Sequence, residues 1–146
     1  MFIIDTNLYI RALRDPDFAA DLEAFQETAF TRLWLSAVVL FEVMVGAFSD
    51  AHAESYDRWL VRPFDRRNRV LVPDDRSWRS VARMHREIRS LGGFDEKLAQ
   101  RSFLNDMLIA ATCRQVGATL LTANRADYEL LNRVVGVRFL THFPSA

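Results

Sequence analysis

Three of the most apolar stretches of the chain each carry one charged residue, and each time it is a carboxylate: Asp5 in MFIIDTNLYI, Glu42 in LWLSAVVLFEVMVGAF and Asp106 in SFLNDMLIAATC. Withdrawing an ionised carboxylate from water costs roughly several kcal/mol even after relaxation. None of the three stretches holds an Arg or Lys to offset that cost. A divalent cation shared by carboxylates distant in sequence and close in the fold removes both the desolvation penalty and their mutual repulsion. Oxygen donors of this kind suit hard ions, Mg²⁺ or Mn²⁺. Such a site can hydrolyse phosphodiesters, because the ion acidifies a water and neutralises phosphate oxygens while a carboxylate short of full coordination takes the proton. The plainer alternative is three unrelated polar residues at helix or strand ends.

The elements that must position these residues follow from hydrophobic period and capping. Phe2 to Ile4 reads as a strand ending at Asp5, and Leu8, Ile10 and Leu13 mark a helix that Asp15-Pro16 stops. Asp17 to Phe30 is an amphipathic helix, Leu33 to Leu35 a second strand, and Ser36 the N-cap of a helix over Ala37 to Phe48. On that helix Glu42 shares a face with Val38, Val39, Val45 and Gly46, which the spacing predicts to be buried. Further along come a helix over Ala51 to Leu60 and a third strand over Val70 to Val72. Asp74 or Asp75 then caps a helix carrying Trp78, Val81, Met84, Ile88 and Leu91, which Gly92-Gly93 ends. Glu96 to Leu104 reads as a helix, and Asp106 opens another that runs to Val116. Thr119 to Leu121 is a strand, Asn124 caps Arg125 to Leu131, and Val137 to Leu140 is a fifth strand. Strands alternating with helices predict an α/β fold, a small parallel sheet of four to five strands flanked by helices on both faces. Ligands gather beyond the carboxyl ends of such strands.

With 146 residues, no internal repeat and no linker-like tract, the chain is expected to form one domain, 1–146. Basic and acidic side chains balance at 19 each, so any basic surface is local and net charge gives no sign of a nucleic-acid partner. Every basic residue except Lys97 is arginine. Cys113 is alone, which excludes an internal disulfide and a cysteine zinc cluster, and His52, His85 and His142 lack ligand spacing. No secretory leader is evident, and the longest apolar stretch, Leu33 to Phe48, is shorter than the ~20 residues of a bilayer span. A cytoplasmic location is expected, with no membrane partner.

The ordered set IIDTN, S-A-V-V-L-F-E-V-M-V-G, N-D-M-L-I-A-A-T and L-L-T-A-N-R-A-D-Y resembles the PIN-domain family, most closely its VapC-type toxin ribonucleases, over essentially the whole chain. The resemblance implies an endoribonuclease that uses Mg²⁺ or Mn²⁺, with Asp5, Glu42 and Asp106 as metal ligands. At the family's fourth acidic position this chain has Asn124, and the next acid is Asp127. Either can contribute, or the pair can be a capping box in which Asn124 bonds the Asp127 amide while Asp127 reaches back. Thr6, Asn7, Ser36 and Thr122 are candidates to orient the ligands, or simply to cap and terminate elements. The resemblance further implies an RNA substrate such as a tRNA or ribosomal RNA, a VapB-like antitoxin whose tail covers the toxin's groove, and a homodimer.

Arg62, Arg66, Arg67 and Arg69 form either a patch for the RNA backbone or a solvated loop. The Trp and Phe residues are expected in core or interface packing. A competing function is a binding module that keeps the fold and has lost catalysis, which Asn124 motivates. Three retained acids oppose it, since an inactive scaffold is free to replace them with apolar residues. A phosphatase using Asp5 as nucleophile is disfavoured, because Asn7 stands where a second Asp is wanted.

Overall fold

A computed structural model describes residues 1–144; the expected domain of 1–146 therefore reaches two residues beyond the described ones. In chain order the elements are β1 (Phe2–Ile4), α1 (Thr6–Ala12), α2 (Pro16–Ala29), β2 (Leu33–Ser36), α3 (Ala37–Val45), α4 (Asp50–Tyr56), a π-helical turn (Asp57–Val61) and α5 (Arg62–Asp65). They continue with β3 (Val70–Leu71), α6 (Asp75–Leu91), α7 (Asp95–Leu98), α8 (Arg101–Val116), β4 (Thr119–Leu121), α9 (Arg125–Val135) and β5 (Arg138–Leu140). The strands form one sheet in the order β3-β2-β1-β4-β5, and every pairing is parallel. This is the expected α/β architecture.

The first strand formed from the sequence is the central one. Ile3 and Ile4 in β1 and Leu120 and Leu121 in β4 are all buried. Successive strand residues point to opposite faces, so both faces of the sheet are covered. Helix α1 packs on α2 and α3, while α6 packs on α8 and α9. Asp15 caps α2 ahead of Pro16, Ser36 caps α3 and Asp74 caps α6, each through its side-chain oxygen. Gly117 and Gly136, at φ of 69° and 71°, close α8 and α9 in the left-handed conformation that favours glycine.

Several boundaries differ from those expected. Helix α3 stops at Val45 rather than Phe48: the Gly46 amide makes the last regular bond, to Glu42, the Ala47 amide turns to Met44 instead, and Ser49 then caps a new helix through the His52 amide. Val45 is 57% exposed, so Glu42's face is not wholly buried as predicted. The helix expected over Ala51 to Leu60 continues through the π turn into α5, where Pro63 has no N–H to offer the regular ladder. On α6 the buried stripe is Ser77, Val81, Met84 and Ile88, whereas Trp78 and Leu91 face solvent. Ser77 is accommodated there because its hydroxyl bonds Asp74 and Gln115. Helix α7 ends at Leu98, and α8 begins at Arg101, so Asp106 lies in the second turn of a helix instead of opening one. Helix α9 runs to Val135 rather than Leu131, stopped by Gly136. Val72 lies outside the third strand and is exposed, and the fifth strand begins at Arg138.

Leu120 is fully buried in β4 beside the central strand. Leu120→Ala is expected to destabilise the protein by about 2–5 kcal/mol. Urea unfolding checks this as a lower midpoint at unchanged slope.

Candidate metal centre

Asp5 follows β1 directly, and its backbone N–H still donates to the Leu121 carbonyl at 2.9 Å, extending the ladder toward β4 by one residue. Its carboxylate turns onto α1, where Oδ1 accepts the Thr6 amide at 2.8 Å. Oδ2 accepts Asn7 Nδ2 at 2.7 Å and the Thr122 hydroxyl at 2.6 Å. Asn7 in turn donates to Thr122 at 3.1 Å and accepts the Ala123 amide at 3.0 Å. Strand register therefore fixes Asp5 at the carboxyl end of the sheet, and residues following β4 hold it from the neighbouring strand.

Glu42 on α3 accepts the Thr6 hydroxyl on one oxygen and Asn105 Nδ2 on the other, the latter at 2.9 Å. Thr6 thus ties two of the acids together, its amide on Asp5 and its hydroxyl on Glu42. Asp106 accepts Asn124 Nδ2 at 3.2 Å on Oδ2, while Oδ1 meets only a long contact of 3.4 Å from the Tyr128 hydroxyl. Asp127 accepts Asn124 Nδ2 at 2.9 Å on Oδ2 and is paired on Oδ1 with Lys97. Asn124 also accepts the Asp127 amide at 3.4 Å, which is half of the expected capping box. The other half is absent: Asp127 reaches the Asn124 side chain, and the Asn124 amide donates to Thr122 instead.

The sequence-predicted residues Asp5, Thr6, Asn7, Glu42, Asp106, Thr122, Asn124 and Asp127 thus belong to one region. Ser36 does not join their hydrogen-bond network; its oxygen takes the Val38 amide at 3.2 Å and caps α3. Asn105, Tyr128 and Lys97 were missed. Asn105 and Tyr128 adjoin Asp106 and Asp127 within the quoted motifs, and Lys97 is the only lysine, so composition alone could have flagged it.

Electrostatics distinguishes the acids. Desolvation is the largest influence on Asp5 and raises its pKa to about 6, against lowering by the Thr122, Thr6 and Asn7 bonds and with a further push from Glu42. Asp106 goes higher, to about 8, through desolvation and then the charges of Asp5, Asp127 and Glu42, with Tyr128 the opposing donor. Burial, followed by the charge of Asp5, pushes the Tyr128 phenol well up, so it stays protonated and donates. These acids feel one another's charge, yet among the described residues no three His, Cys, Asp or Glu side chains already stand at ion-holding separation. The donor set itself is all oxygen and short of positive charge, which is the chemistry a hard divalent cation fits. Asp5, Glu42 and Asp106 are the residues that would hold it.

Beside Glu42 opens a mostly apolar groove of about 530 Å³ whose walls include Ile10, Val45, Phe48, Tyr56 and Trp59. Phe48 is 91% exposed, and Trp59, Phe41 and Trp78 are also exposed, so packing in the core does not account for all the large aromatics. Of the expected basic patch, Arg62, Arg66 and Arg67 line a shallow concavity with Arg58, whereas Arg69 bonds the Phe30 carbonyl at 2.7 Å and supports the fold.

A family model described as PIN domain matches residues 2–133. No curated protein matches the sequence. Among solved structures, a DNA-bound VapBC from Salmonella typhimurium is similar at 21% identity and a TM-score of 0.69, over 95% of this chain and 96% of that one. FitAcB from Neisseria gonorrhoeae is similar at 20% identity and a TM-score of 0.61, over 97% of both chains. VapBC2 from Rickettsia felis, bound to a DNA fragment from its promoter, gives 17% identity and a TM-score of 0.61, over 95% and 96%. At these identities the likeness is one of fold.

Both raised pKa values lie above the ordinary 3.8. Between pH ~4 and ~8 the folded, ion-free chain therefore binds more protons than the unfolded chain, and its stability falls as pH rises. Chelator-treated protein is expected to melt lower at pH 8 than at pH ~5, and Asp106→Asn to flatten the fall between about 6 and about 8. Melting curves across this range check it; identical profiles for the two proteins contradict the assignment to Asp106.

Proposed function

Because the chain belongs to the PIN-domain family, we propose that it is a Mg²⁺- or Mn²⁺-dependent endoribonuclease of the VapC type, the toxin of a type II toxin-antitoxin pair. One observation carries the proposal: Asp5, Glu42, Asp106 and Asp127 are joined at the carboxyl edge of a parallel sheet by one hydrogen-bond network through Thr6, Thr122 and Asn124. That concentration of negative charge on oxygen is what a phosphodiester-cutting centre needs a cation to relieve.

When bound, the divalent ion supplies positive charge to the scissile phosphate and to the attacking water. Asp5, Glu42 and Asp106 would hold it. Thr6, Asn7 and Thr122 orient Asp5, while Thr6 and Asn105 fix the two oxygens of Glu42. Asn124 and Tyr128 orient Asp106. Its Oδ1 has only the long Tyr128 contact, so this atom is the one left to accept the water's proton.

An antitoxin is the proposed partner, because the similar structures include VapBC and FitAcB complexes and because the groove beside Glu42 offers an apolar bed for its tail. Such a tail would cover the ligands as it binds. Among the described residues no helix is long and apolar enough to cross a membrane. One cytoplasmic domain spanning 1–146, acting as a homodimer on a tRNA or ribosomal RNA, completes the proposal. A catalytically inactive binding module is the second reading, favoured by Asn124 and by the neutralisation of Asp127 by Lys97.

Asp5→Asn is expected to reduce cleavage of structured RNA by about 10²-fold or more, and chelator to abolish it until Mn²⁺ is restored. Equal rates for wild type, Asp5→Asn and chelated protein contradict the nuclease. Absence of Mn²⁺ binding by calorimetry, together with unchanged melting of an Asp5→Ala, Asp106→Ala double variant, favours the binding module. For the partner, Phe48→Glu is expected to weaken capture of the protein encoded in the adjacent upstream reading frame by about tenfold, read by titration.

A further inference from the structure

We propose that the Lys97 ammonium takes the place of a second cation, so that the centre binds one divalent ion and not two. The inference rests on the metal-dependent reading above and concerns how this chain divides its acids. Four carboxylates surround the carboxyl edge, and they are not equivalent. Asp127 alone is paired with a basic side chain, Lys97, and its other oxygen takes Asn124 Nδ2 at 2.9 Å. Both oxygens are therefore engaged, one of them by a full positive charge. Asp5, Glu42 and Asp106 meet only neutral donors.

The placement of Lys97 is built into the fold. It lies on α7, which packs on α8, and its ammonium sits 5.2 Å from the centre of the buried Phe103 ring. Its side chain is one-third exposed and that of Asp127 less, so the pair is partly withdrawn from solvent, where screening is weaker. Lysine carries a compact point charge, while the guanidinium that serves every other basic position here is broad and planar. Position 124 reinforces the division. Asn124 donates to Asp106 and Asp127 at once, so a neutral amide separates two acids that would otherwise form a second anionic pair. A second ion would have to displace Lys97 from Asp127 and compete with this amide for both carboxylates.

The test is Mn²⁺ stoichiometry, measured by calorimetry and by the loss of the free-ion paramagnetic resonance signal. Wild type is expected to bind one equivalent. Lys97→Gln frees Asp127 and is expected to bind two, the second more weakly. Lys97→Gln combined with Asp127→Asn is expected to return to one, a reversal that damage to packing would not produce. Two equivalents in wild type overturn the proposal, as does one equivalent in a Lys97→Gln protein whose melting shows it folded. No binding by wild type overturns the metal-dependent reading as well, which separates the two failures.

Discussion

Repulsion among carboxylates that the fold holds together out of water governs this molecule. Asp5 is 3% exposed and Glu42 and Asp106 are partly sheltered, and burial raises the pKa of both Asp5 and Asp106. In the protein alone the offset comes from a fence of neutral donors: Thr6, Asn7 and Thr122 on Asp5, Asn105 on Glu42, Asn124 and Tyr128 on Asp106. Hydroxyls and amides soften the repulsion without cancelling it: burial first, and then the charges of Asp5, Asp127 and Glu42, hold the Asp106 pKa up. The arrangement is poised for a cation because it is incompletely compensated.

The scaffold makes this tolerable. A parallel sheet buried on both faces supplies the rigid floor, and its central strand delivers Asp5 at a fixed height next to the residues that follow β4. Two helices then lean in from different parts of the chain, α3 with Glu42 and α8 with Asp106, and they touch through the Asn105 to Glu42 bond. Rotating either helix by one residue would remove its acid from the edge. Packing precision among Met107, Ile109 and Val39, all fully buried, is thus what sets the charge geometry.

Much of this was legible before any coordinates. Asp5 is betrayed by an apolar strand that ends in an acid, Thr6 and Asn7 by following that acid directly, and Thr122 by its position at a strand end. The parallel sense of the sheet followed from the alternation of strands with helices, whereas the strand order β3-β2-β1-β4-β5 came from the structure. What escaped lay at element boundaries and in long-range contact. The residues from Glu96 to Leu104 have helical composition throughout, so nothing local marks the break at Ala99 and Gln100 that moves Asp106 from a helix start to its second turn. The period on α6 admits either Trp78 or Ser77 at the head of the buried stripe, and hydropathy chose the wrong one. Ser77 is buried because distant Gln115 satisfies its hydroxyl. The pairing of Lys97 with Asp127, thirty residues apart, leaves no periodic trace at all.

Cys113 lies fully buried on α8, and burial, with a contribution from the charge of Asp5, drives its thiol far up the pH scale. Sulfur near a cluster of acids would ordinarily recruit thiophilic metals, but only as thiolate. Held neutral and fully buried, it leaves the cluster's preference to hard ions. The same chemical silence leaves the protein open to site-directed spectroscopy, since a thiol introduced on the surface would react with a maleimide probe and the native one would not.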